Sequence, residues 1–298
     1  MDRYKKYAAA AAAAAIILVA VVAVFPGGPP RVTVDFFSVG QGDAMLAASG
    51  ERQMLIDGGP DRMVLSRLGR AMPFFDRTIE YVAITHPHAD HYSGLAAVAA
   101  AYRIRQVLIP AARADSREFS AVLEDLRRSG AEIVELGAGD AVDLGDARFD
   151  VLWPPRGAKP PAGLDAGAAA NSLSLVMRMS VFCVAAAAVH DRSGCGAVLF
   201  SGDATTETED GIIASGRTVA ASVLKVGHHG SNRSTSAAWL RAVRPELGVI
   251  EVGPNNYGHP ALALLRRLAV AGVRTWRTGQ DGGLRAVFTS DGWQAAAR

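Results

Sequence analysis

A layered α/β or α+β fold of two sheets covered by helices is predicted by the amino-acid sequence on three observations. From residue 32 onward, short apolar, β-branched runs alternate with stretches of helical periodicity. These elements come in two sets of similar style, one on each side of the segment 156–170. Neither set carries Rossmann glycines or a phosphate-loop lysine, which sets the common nucleotide-binding folds aside.

In the first set, "RVTVDFFSV" reads as a strand, "GQGD" as a tight turn, and "AMLAAS" and "RQMLIDGG" as strands. Residues 61–72 suit a short helix. "IEYVAIT" is an apolar strand that runs into "THPHADHYSG", "YSGLAAVAAAY" continues as a helix, and "QVLIP" is a further strand. "SREFSAVLEDLRRSG" is an amphipathic helix with Phe119, Val122, Leu123 and Leu126 on one side and Gly130 as its stop. "EIVEL" and "DAVDLGDARFDVLWP" are strands, and "RGAKPPAGLDAGAAA" is expected as a flexible loop. In the second set, "SLSLVMRMSVFCVAAAAV" and "GAVLFSGD" form a long hairpin and "TTETEDGIIAS" a helix. "SVLKVGHHG" is a strand ending in histidines, followed by the helix "SAAWLRAV", the strand "LGVIEVG" and the helix "HPALALLRRLAVAG". "VRTWRT" and "LRAVFTSDGW" close the chain as strands.

Ahead of this domain (32–298), residues 1–7 form a basic segment and residues 8–25 are 18 consecutive apolar residues, followed by a Pro/Gly linker over 26–31. That length approaches the roughly 20 residues of a membrane-spanning helix. An uncleaved transmembrane anchor is expected, with secretion after signal cleavage as the alternative. Arg3, Lys5 and Lys6 favour a cytoplasmic N-terminus and an extracytoplasmic domain at the cell membrane. Asp2, Arg3, Lys5 and Lys6 account for the whole formal net charge of +2, so the domain carries no overall basic charge for nucleic acid. The two cysteines, Cys183 and Cys195, fall in the arms of one expected hairpin; a disulfide and two free thiols both fit.

Three apolar strand ends carry the ionisable residues: "ITHPHADH", "LFSGD" and "LKVGHH". His86, Asp203 and His228 therefore converge on one rim. Imidazoles and carboxylates gathered in one poorly solvated place need a cation. Histidine nitrogen with carboxylate oxygen suits Zn²⁺, Mn²⁺ or Fe²⁺.

At this point the sequence resembles the metallo-β-lactamase-fold hydrolases, and most of all the hydrolase domain of competence DNA-uptake channel proteins. The matching pieces are "VGQGDA", "LIDGG", "THPHADHYSG", "NSLSLVMRM", "LFSGD", "LKVGHHGS", "NNYGHP" and "RTGQDG", from about residue 32 to 293. The resemblance implies an αββα four-layer sandwich holding two divalent ions, Zn²⁺ or Mn²⁺, at one edge. His86 and His88 would bind the first ion, Asp90 and His91 the second, and Asp203 would bridge them. His228 or His229 would complete the second site, His228 being favoured as the ligand with His229 facing substrate, and Asp57 would orient a ligand histidine. Asp90, Asp203, His229 and His259 are the candidate catalytic residues, His259 as a general acid, a phosphate contact or a cap for the helix after it. Ser231, Asn232 and Arg233 suit phosphate oxygens. Asp43 is either a site residue or a turn carboxylate.

One departure stands out. Many relatives place a further histidine on a middle strand, but none occurs here between His91 and His190, and His190 sits in a polar turn. Asn171 either fills that place or merely ends a loop. The implied activity is metal-dependent hydrolysis of phosphodiesters, a nuclease acting on single-stranded DNA beside a separate uptake channel. The alternatives are another ester (a wall phosphodiester, lactone or lactam) and a metal-poor binding module without catalysis.

Overall fold

The computed structural model describes residues 32–114, 116–182 and 195–298. The expected anchor at 8–25, His190 and Cys183 lie outside the described residues; Cys195 is not a free thiol. Among the described residues no helix is long and apolar enough to cross a membrane.

The first strands are β1 (Val32–Phe36), β2 (Met45–Ser49), β3 (Arg52–Ile56), β4 (Thr78–Ala83), β5 (Arg103–Pro110) and β6 (Glu132–Leu136). Then come β7 (Ala141–Leu144), β8 (Ala147–Trp153), β9 (Val176–Val181), β10 (Gly196–Phe200), β11 (Val223–Lys225), β12 (Leu247–Ile250) and β13 (Arg274–Arg277). The hairpin β14 (Leu284–Thr289) and β15 (Gly292–Ala297) returns to the first sheet. One sheet has the order β15-β14-β1-β2-β3-β4-β5-β6 and the other β13-β12-β11-β10-β9-β8-β7.

Three separate apolar clusters show the layering. Phe36, Met45, Ile56, Phe149, Met177 and Phe200 fill the space between the sheets. Helices Met63–Ala71, Leu95–Ala101 and Arg117–Arg128 bury Leu68, Leu95, Phe119 and Leu123 against the outer face of the first sheet. Helices Thr206–Ala214, Ala237–Val243 and Leu262–Val270 bury Ile212, Trp239 and Leu268 against the second. Each sheet is thus apolar on both faces, which explains the near-continuous hydrophobic runs of its central strands. The result is the expected αββα order.

Two expectations differ. The segment 156–170 is not all loop, because Ala166–Ser172 is helical. Asp165 caps it by accepting the Ala168 amide at 2.8 Å, and its alanines favour helix once capped. Asn171 and Ser172 therefore end a helix, where a loop ending at Asn171 and a strand starting at Ser172 were expected. The single helix expected over 92–102 is two pieces, Ala89–Tyr92 and Leu95–Ala101, broken at Gly94. A Cβ on Gly94 would lie 2.0 Å from the Gly58 carbonyl oxygen, so only glycine lets these backbones meet.

Pairing is parallel from β3 to β6 and from β10 to β13. The carboxyl ends of β3, β4, β10, β11 and β12 lead to Asp57, His86, Asp203, His228–His229 and Glu251 respectively. Such ends are where open α/β sheets gather ligand-binding groups.

Candidate metal centre

The turn after β4 is set first. Asp57 stands just past β3 with a positive φ of 58°, and its carboxylate accepts the Thr85 amide and the Thr85 hydroxyl, both at 2.8 Å. This pins the start of the histidine segment. His86 is fully buried, and His88 precedes the short helix Ala89–Tyr92 that carries Asp90 and His91. His86, His88 and Asp203 bring ligand atoms within 4.8 Å of one another; Asp90, His91 and His229 form a second such group.

One oxygen links them. Asp203 Oδ2 lies 3.5 Å from His91 Nε2, 3.6 Å from His229 Nε2, 3.7 Å from His86 Nε2 and 3.8 Å from His228 Nε2. His91 Nε2 and His229 Nε2 are buried and have no hydrogen-bond partner. Their other nitrogens are tied from behind. His91 Nδ1 meets Asp57 Oδ2 at 2.8 Å, while His229 Nδ1 meets the Glu251 carbonyl oxygen at 2.8 Å and Asp43 Oδ1 at 3.2 Å. Donation from Nδ1 leaves each Nε2 with its lone pair aimed inward, the tautomer a metal needs.

The grouping differs from the expected roles of His228 and His229. Both residues have φ of 49°, a region unusual for histidine. The turn they make swings His229 inward to Asp90, 3.2 Å away, and leaves His228 partly exposed. Adjacent histidines at a strand end cannot be told apart by spacing, because the strand's alternation stops there. Asn171 is buried beside His228, with its Nδ2 3.4 Å from His228 Nε2, and it belongs to neither group.

Other expected residues fall into three places. Asp43 is fully buried behind His229, where it pairs with the Lys225 ammonium. Ser231 Oγ accepts the Arg233 amide at 3.2 Å and so serves its own loop. Gln41, Pro60, His88, Ala89, Asp90, Asp203, His228, His229, Tyr257 and His259 line a cavity of about 540 Å³; Ser231, Asn232 and Arg233 do not. His259 faces this cavity, and the helix Leu262–Val270 has no side-chain cap, so capping is not its role.

Sequence reasoning missed Lys225, Glu251 and Glu209. Lys225 is fully buried; its Nζ donates to the Gly202 carbonyl at 3.0 Å and lies 3.7 Å from Asp203 Oδ1. The signal was available, since a lysine in "VLKV" and a glutamate in "VIEV" interrupt strands that are otherwise apolar. Glu209, on the helix Thr206–Ala214, accepts the Thr235 amide and, at 2.9 Å, the Ser236 amide, clamping the loop that carries both histidines. Burial pushes its carboxyl up to about 7. Glu209→Ala leaves two amides without acceptors, so it is expected to lower stability by about 2–4 kcal/mol in denaturant unfolding.

The electrostatics favour a cation. Burial opposes charge on all these imidazoles. On His86 burial prevails and pushes it well below the usual range. Around His91 the Asp203, Asp57 and Asp43 carboxylates overcome burial and hold it well above that range. Against burial, Asp203 and Asp43 likewise raise His229 to about 10. Without a metal, the site gathers protons between its carboxylates. The donor set, the inward lone pairs and the unpartnered nitrogens fit divalent ions that would displace those protons.

Residues 38–170 match the family model of the metallo-β-lactamase superfamily. The chain is 28% identical over 268 residues to ComE operon protein 3 of Bacillus subtilis, covering 84% of this chain and 32% of that protein. It is 26% identical over 271 residues to Recombination protein 2 of Haemophilus influenzae, covering 88% and 29%. The chain thus spans about a third of the length of these curated relatives. Among solved structures, the metallo-β-lactamase fold protein YhfI from Bacillus subtilis superposes with a TM-score of 0.54 at 11% identity, covering 85% of this chain and 99% of its own.

Proposed function

We propose that this chain, which matches the metallo-β-lactamase superfamily model over residues 38–170 and resembles ComE operon protein 3 and Recombination protein 2, hydrolyses phosphodiesters, with single-stranded DNA as the substrate class. The observation that carries this reading is the single Asp203 oxygen set among four imidazole nitrogens. In this reading His86, His88 and Asp203 hold one divalent ion, and Asp90, His91, His229 and Asp203 hold the other. When bound, such a pair activates water and steadies charge on the attacking and leaving oxygens. Asp57 and Asp43 fix the two imidazoles they touch. His228 and His259 line the cavity outside both groups, where they are placed to bind the phosphate or to hand a proton to the leaving oxygen. With only two imidazoles and a shared carboxylate, the first site holds its ion less tightly, which suits Mn²⁺ as well as Zn²⁺.

Residues 8–25 are read as an anchor that keeps the domain extracytoplasmic, beside a separate uptake channel. One observation favours a smaller diester: among the described residues neither lysine nor arginine lines the cavity, so a long duplex finds little there to track its phosphates.

The test is metal analysis of the purified protein, then assay on single- and double-stranded DNA and on bis(p-nitrophenyl) phosphate with added Mn²⁺ or Zn²⁺. Metal-dependent cleavage of single strands is expected. Turnover of the small diester without DNA cleavage would move the assignment to another diester. Turnover of a lactone or lactam alone would remove phosphodiesters altogether. Metal-dependent turnover of none of these would leave a binding module.

A further inference from the structure

Tyr257 stands at the mouth of the metal cavity with 76% of its surface exposed, although it is a large aromatic that burial would stabilise. The turn that presents it is locked. Asn255 Nδ2 donates to the carbonyl oxygens of Gly253 and His259 at 2.9 and 2.8 Å, and Asn255 Oδ1 accepts the amides of Tyr257 and His259 at 3.0 and 3.1 Å. Four bonds from one side chain hold a short turn that has little core of its own. The Tyr257 ring leans on His259 with centroids 6.0 Å apart and planes at 36°. His259 in turn stands 5.5 Å from His228, whose Nε2 is 3.8 Å from Asp203. Aromatic rings thus lead from the exposed Tyr257 through His259 and His228 down to the carboxylate at the centre.

We propose that Tyr257 is a stacking subsite for a planar ring of the substrate, a nucleobase next to the scissile phosphate. This rests on the phosphodiesterase reading and narrows it. Base stacking on an aromatic ring tolerates any sequence, since every base has a π-face. Among the described residues no lysine or arginine lines the cavity, which leaves the phosphate to the cavity histidines and the ions the site would hold, so the ring supplies the hold on the rest of the nucleotide. One platform accommodates one base, which suits a strand end or a short oligonucleotide.

The test uses the full chain as wild type, Tyr257→Ala and Tyr257→Phe, with short single-stranded oligonucleotides that are intact or carry an abasic residue at each position in turn. Binding is read by fluorescence anisotropy of labelled oligonucleotide and cleavage by KM. Tyr257→Ala is expected to raise Kd and KM on the order of tenfold for intact strands, while Tyr257→Phe restores the wild-type values. An abasic residue at one position should bring the wild type to the level of Tyr257→Ala and cost that variant nothing more. Equal binding by wild type and Tyr257→Ala, or the same loss on intact and abasic strands at every position, overturns the subsite. If the wild type cleaves no phosphodiester, the hydrolytic reading fails by itself, and the anisotropy comparison still decides the subsite.

Discussion

Replacing Asp203 with alanine will abolish metal-dependent turnover, by on the order of 10³-fold or more, which corresponds to about 4 kcal/mol of transition-state stabilisation. Its Oδ2 lies near both ligand groups, so in the proposed two-ion site its loss would remove a ligand from each ion at once. It also removes a carboxylate that offsets the imidazoles and the Lys225 ammonium packed around it. Metal content, measured on the purified variant, should fall together with activity. Asp203→Ala with full metal content and near-wild-type turnover would refute the bridged pair.

The second large effect separates two neighbours. His229→Ala should lose the second ion and nearly all activity, because His229 completes the group with Asp90 and His91. His228→Ala should keep its metal and lose turnover by on the order of 10²-fold, the usual scale for a proton-transfer or oxyanion contact. Metal stoichiometry is the deciding measurement. Loss of metal from His228→Ala with retention in His229→Ala would reverse the assignment and restore the order expected from the sequence.

That reversal marks where the sequence stopped being legible. Strand ends could be read because buried parallel strands are continuous apolar runs, and a sudden His or Asp at such an end stands out, as at His86 and Asp203. Two sheets covered by helices followed from the same runs, while the four-layer order was what the family resemblance implied. What lay beyond was conformational. The left-handed turn at His228 and His229 decides which imidazole points inward, and no spacing rule records it. The helix Ala166–Ser172 was hidden by the prolines and glycines ahead of its Asp165 cap. Lys225 and Glu251 were visible as charges in apolar runs, but Lys225 pairs with Asp43 and Glu251 accepts the Ala44 amide, partners far away in the chain, so only the folded molecule brings them together.

The centre draws its parts from Asp43 through Asp57, His86, His91, Asp203 and His229, and its cavity reaches His259. Such long-range closure is costly, so this region assembles late in folding. A nascent fragment that ends before Asp203 and His229 holds neither ligand group complete. Ion acquisition is thereby coupled to the final step of folding. The identity of the bound ion then depends on the metal supply of the compartment where folding finishes, as well as on the affinity order of the donor atoms.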